Sequence, residues 1–127
     1  MIRFKVTTLD DKSCVTSKRD EGFTKLYKDN TIIEADKSTI GLMIFKTKKA
    51  ALCFIEDYKN SIYSSWKVKR VIPLDKGKTP RWIAFCYRIF EFNNSMKEYG
   101  IPLCSDSASP PSGTICHFKI KVIGDCK

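Results

Sequence analysis

The chain has 127 residues, 43% of them hydrophobic and 12% aromatic, with 23 Lys/Arg against 14 Asp/Glu for a net charge of +9. That length suits one domain spanning residues 1–127, and that apolar content excludes wholesale disorder. No run nears the ~20 apolar residues that span a bilayer, and the opening MIRFKVTTLDDKSC lacks the apolar core of a signal peptide, so the expectation is a cytoplasmic protein without membrane insertion.

Taken in chain order, IRFKVTTL sets Ile2, Phe4 and Val6 against Arg3, Lys5 and Thr7, the period of a half-buried strand. DDK reads as a turn and SCVTS as a short returning strand. FTKLY and TIIEA, separated by Asp29 and Asn30, read as a hairpin. GLMIF is a continuous apolar run and suits a strand buried on both faces. The clearest helix covers about residues 48–60. Thr47 can cap it, and Ala51, Phe54, Ile55 and Tyr58 repeat at helical spacing.

WKVKRVIPL follows as a strand, with Trp66, Val68, Ile72 and Leu74 on one side and Lys67 and Lys69 on the other. Pro73 removes a ladder donor and places this end at an edge or a bulge. DKGKTP is a polar connection. RWIAFCYRIFEF is read as a strand from its aromatic and branched content, although Trp82, Phe85, Cys86 and Ile89 also fit a helical face. NNSMKEYG predicts a one-turn helix ended by Gly100, CSDSASPPSG a flexible loop, and TICHFKIKVI a final half-buried strand. These elements predict an α+β domain: a mostly antiparallel sheet of about six to eight short strands with one main helix packed on one face.

Six cysteines, none in C-x-x-C spacing and three of them in apolar segments (Cys53, Cys86, Cys116), predict free thiols and no disulfide or zinc site. KGKT resembles the end of a phosphate loop, but Ile72 stands where its first glycine belongs and Pro80 where the helix should start. The single histidine, His117, has no carboxylate at a telling spacing and reads as a surface residue. The adjacent acidic pairs diverge on any strand or helix. No metal, cofactor or catalytic residue is therefore expected.

The charge is concentrated. Residues 46–88 carry eleven Lys/Arg against three Asp/Glu, while 89–127 carry four of each. A field of that sign attracts anions. The candidate contacts are Lys67, Lys69, Lys76, Lys78, Arg81 and Trp82, with Lys48 and Lys49 at the helix start. Lysines would meet phosphates, and an aromatic or guanidinium plane would meet bases.

The stretches IGLMIFKTKKAALCFIEDYKN and WKVKRVIPLDKGKTP resemble small proteins of phages and mobile elements, which pair a G-[LI]-x-x-F-K-T strand with an alanine-rich helix and a K-V-x-R-V-x-P strand. The resemblance covers residues 40–82. It implies an accessory protein that binds host or viral macromolecules, and it carries over no site residues.

Three functional readings stand at this point. The first is a basic module whose leading partner is nucleic acid. The second is a protein-interaction factor or inhibitor docking an acidic protein surface. The third is an enzyme acting on a nucleotide-like anion. Oligomeric state is not legible in the sequence.

Overall fold

A computed structural model of the chain describes residues 1–14, 24–37, 39–58, 65–84, 89–100 and 107–126. Eight strands and two helices occur among them: β1 (Arg3–Thr8), β2 (Ile32–Glu34), β3 (Leu42–Phe45), α1 (Lys48–Tyr58), β4 (Trp66–Pro73), β5 (Ile83–Ala84), α2 (Ile89–Tyr99), β6 (Ser107–Ala108), β7 (Thr114–His117) and β8 (Lys119–Asp125). Six strands form one antiparallel sheet in the order β2-β8-β4-β1-β3-β7, and β5 pairs with β6 separately. The domain is α+β, with α1 packed on the main sheet.

The sheet curls. β7 and β8 are separated only by Phe118, yet β7 pairs with β3 and β8 pairs with β4. One bent segment therefore closes around the β4-β1-β3 unit from both sides. Both faces of that unit are covered, because an alternating strand sends successive side chains to opposite sides. Val6, Phe45 and Val68 meet Ala51 and Phe54 of α1 on the outer face. Tyr27, Leu42, Ile44, Val71, Ile120 and Val122 fill the inner face. The run GLMIF thus lies in a strand covered on both sides, between β1 and β7.

α1 begins where its sequence says it should. The Thr47 hydroxyl accepts the Ala50 N–H at 3.1 Å, satisfying a first-turn donor that has no partner within the helix. Ala51 and Phe54 are buried, and Phe54 stacks on Trp66 with ring centroids 5.6 Å apart. Residues 59 and 60, the expected end of this helix, lie outside the described residues.

Four local expectations are corrected. TIIEA does not pair with FTKLY: the turn at Asn30 (φ 63°) forms, but β2 pairs with β8, opposing Ile33 to Ile120 beside the inner core. FTKLY contributes one bridge, Leu26 to Lys12, and buries Tyr27. Of the returning strand expected at SCVTS, Ser13 bridges Thr7, and residues 15–17 lie outside the described residues. Among its described residues RWIAFCYRIFEF is strand at Ile83–Ala84, and residues 85–88 lie outside the described set. By Ile89 the chain is helical, and α2 runs eleven residues where one turn was expected. Gly100 (φ 73°) ends it, its N–H donating to the Met96 carbonyl, so the stop signal was read correctly and the start was not. Finally, TICHFKIKVI breaks at Phe118, and all four residues of β7 are buried.

Candidate functional site: a basic edge beside an aspartate–histidine pair

β4 alternates as expected, but its lysine row does not face open solvent. Lys67, Lys69 and Val71 project to the inner side of the curl, in register with Thr7, Lys5 and Arg3 of β1. Lys69 is 1% exposed, and its Nζ lies 2.8 Å from Asp11 Oδ1, 2.7 Å from Asp29 Oδ1 and 3.2 Å from Asp125 Oδ1. Lys67 Nζ lies 2.7 Å from the same Asp11 oxygen and 3.2 Å from Asp125 Oδ1. Burial works against the Lys69 ammonium, yet the three carboxylates outweigh it and hold its pKa above the ordinary lysine value. Hydrogen bonds from Lys67 and then Lys69 hold Asp11 below the ordinary carboxylate range. Burial raises Asp125, but the same two lysines outweigh that and leave it lowered. Three carboxylates thus enclose two ammonium groups, and Lys67 and Lys69 spend their charge inside the molecule.

The other expected residues lie at the opposite end of the sheet. Lys48 and Lys49 form the exposed first turn of α1, and Lys46 precedes them at the end of β3. The Arg3 guanidinium, which the sequence reading did not single out, reaches the Lys46 carbonyl at 3.4 Å. Beyond β7, the sheet is extended by one more residue: Lys78 exchanges both backbone hydrogen bonds with Cys116, at 2.9 and 2.8 Å. Because paired residues share a face, Lys78 stands on the same side as Met43 and α1. From Lys78 the chain runs antiparallel to β7, toward Gly113. Ala50 of the first α1 turn packs against Gly113, leaving 2.7 Å to where a Cβ there would sit. The register therefore brings the 78–81 segment toward the start of α1. Arg81 is exposed and stacks its guanidinium 4.9 Å from the Trp82 ring centre, while Lys76 and Lys78 are exposed. Among the described residues no carboxylate lies within ion-pair distance of Lys46, Lys49, Lys76, Lys78 or Arg81. Arg88, which closes the basic 46–88 segment of the sequence, lies outside the described residues.

Comparison with protein-family models, with curated proteins and with solved structures finds no match. The site must therefore be read from its own chemistry.

The basic edge is held in place by a pair that sequence spacing did not reveal. His117 is 4% exposed, not a surface residue, because β7 is covered on both faces. Its Nδ1 lies 3.0 Å from the Asp75 carbonyl oxygen and 3.1 Å from Asp75 Oδ1. The Asp75 carboxylate also accepts the backbone N–H groups of Phe118 at 2.9 Å and Lys119 at 3.4 Å. Burial raises Asp75, but the Phe118 amide, His117 and the Lys119 amide together hold it below the ordinary range. One carboxylate thus satisfies the backbone donors freed by the kink between β7 and β8. Asp75 lies 42 positions from His117, so no local motif could have announced the contact.

Trp66 and Trp82 have different roles. Trp66 is packed on Phe54 and belongs to the outer core. Trp82, half-buried and carrying Arg81, remains at the edge. The Cys116 thiol is buried and pushed up to about 11 by that burial, which makes it inert. Cys53, in an apolar segment of the sequence, is a free thiol exposed on α1, because the buried stripe of the helix passes through Ala51 and Phe54.

Proposed function

We propose that this protein is a small basic binding module that engages nucleic acid along the edge formed by the start of α1 and residues 76–82. One observation carries the reading. With Lys67 and Lys69 already paired to carboxylates, Lys46, Lys49, Lys76, Lys78 and Arg81 remain exposed and unpaired among the described residues. Such cations attract phosphates and release condensed counterions on contact. The amide donors at the start of α1 point the same way, and the Arg81–Trp82 stack offers a planar surface for a base. An accessory role of the kind implied by the phage and mobile-element resemblance suits such a module.

The test is fluorescence anisotropy of labelled single- and double-stranded oligonucleotides at about 50 and about 200 mM salt. Binding should weaken steeply with salt, and Lys49→Gln or Lys78→Gln should each flatten the salt slope by roughly one. Lys67→Gln should leave the slope unchanged, because that lysine meets Asp11 and Asp125. No binding at the lower salt overturns the nucleic-acid reading, and the same edge then becomes the surface with which to seek an acidic protein.

A further inference from the structure

The basic edge sits over a histidine whose second ring nitrogen has no partner among the described residues. His117 Nδ1 faces two acceptors, the Asp75 carbonyl and carboxylate oxygens, so Nδ1 carries the proton. Nε2 is then the unprotonated nitrogen, and it is buried without a hydrogen-bond partner among the described residues. What covers it is Gly77: a Cβ there would stand 2.6 Å from His117 Nε2, from His117 Cε1 and from Ile115 Cδ1. The covering segment is fastened at both ends, by the Leu74 N–H to the Lys119 carbonyl at 2.9 Å and by the Lys78–Cys116 pair.

An unmet neutral acceptor against a glycine costs little compared with an unmet cationic donor in the same place. A proton on Nε2 would create that donor, and only lifting the segment would bring it water. The Asp75 carboxylate offsets an imidazolium charge from the Nδ1 side but gives Nε2 no acceptor, and Lys5, whose Nζ donates to the Met43 carbonyl at 2.8 Å, brings only a further positive charge to β3. Asp75 lies on the Nδ1 side, Lys76 and Lys78 ride on the covering segment, and Lys119 follows the kink. β3 opposes the ring with Leu42, preceded by Gly41, neither of which is charged. We propose that the Asp75–His117 pair is a pH-operated clasp on the basic edge: protonation of His117 at Nε2 opens the 75–78 segment that carries Lys76 and Lys78. The opening stands on this geometry alone, and only its consequence for ligand binding rests on the nucleic-acid reading.

The test is backbone hydrogen exchange, expressed as protection relative to intrinsic rates, from about pH 7.5 to about pH 5. Protection at the Lys78 and Cys116 amides should fall by up to about tenfold per pH unit over part of that range, while amides of the β1–β4 pairing hold theirs. Gly77→Ala should leave Lys78 and Cys116 weakly protected already at the higher pH, by propping the segment open. Unchanged protection in the wild-type protein across the range overturns the clasp, and so does an equal loss in β1–β4. Oligonucleotide binding at the higher pH separates the two proposals. Binding with flat protection removes the clasp alone, and a working clasp without binding removes the nucleic-acid reading alone.

Discussion

A lysine ammonium that is 1% exposed is tolerated only where carboxylates replace its water, and Lys69 has three within 3.2 Å. Asp11 is the member shared by Lys67 and Lys69, and it sits in a left-handed turn (φ 64°). Asparagine tolerates that conformation, so Asp11→Asn isolates the charge from the backbone. The substitution should lower stability by about 1–3 kcal/mol, toward the lower end because the side chain reaches solvent. Urea unfolding midpoints at neutral pH check it. A change indistinguishable from zero would mean that Asp29 and Asp125 suffice. Alternation rightly set Lys67 and Lys69 opposite Trp66 and Val68, but the Trp66/Val68 side faces α1 and the lysines face the curl instead of solvent. Which side of a strand meets water depends on what covers it, and alternation alone cannot say.

At the scale of elements, local signals served where local forces decide. The Thr47 cap and the Ala51/Phe54 stripe of α1 rest on contacts within four residues or on simple period. Thr47→Ala should therefore cost about 1 kcal/mol and Thr47→Gly only a few tenths, measured as shifts in the unfolding midpoint. Equal losses for both would show that the hydroxyl contact does not matter. The miss at α2 has an equally local cause. Aromatic and branched residues over 81–92 favour a strand on propensity, but such preferences yield readily to tertiary context. Gly100 already marked a helix end, and a longer helix leading to it was the better consistent reading. The pairing of β2 with β8 and the break at Phe118 are different in kind. Both depend on the sheet curling so that one bent segment can serve two edges.

For the whole molecule, pH dependence follows from the paired charges and the buried thiols. Asp11, Asp75 and Asp125 have folded pKa values below the ordinary 3.8. Their stabilisation is present above that value and is lost as the pH falls through the folded values. Lys69 is raised, so its contribution is complete below the ordinary 10.5 and is lost as the pH rises beyond it. Cys14 and Cys116 are raised by burial to about 11, so their share is lost as the pH climbs from the ordinary 9.0. Thermal unfolding should therefore show an acid limb below about 4 and an alkaline limb above about 9. Asp11→Asn should shallow the acid limb. An acid limb of the same depth in that variant would place the titrating carboxylates elsewhere.

The sequence by itself determined the α+β class, the main helix with its cap, and the concentration of positive charge between residues 46 and 88. These are sums of local propensity, period and composition, which a linear reading can add up. Only the tertiary structure decided which cations are spent and which remain exposed. It alone buried His117, joined it to Asp75 and laid Gly77 across its free nitrogen. The physical reason is separation: Lys69 meets Asp11 across 58 positions and His117 meets Asp75 across 42. Contacts of that reach are fixed by how the sheet curls, and the curl is a property of the assembled strands.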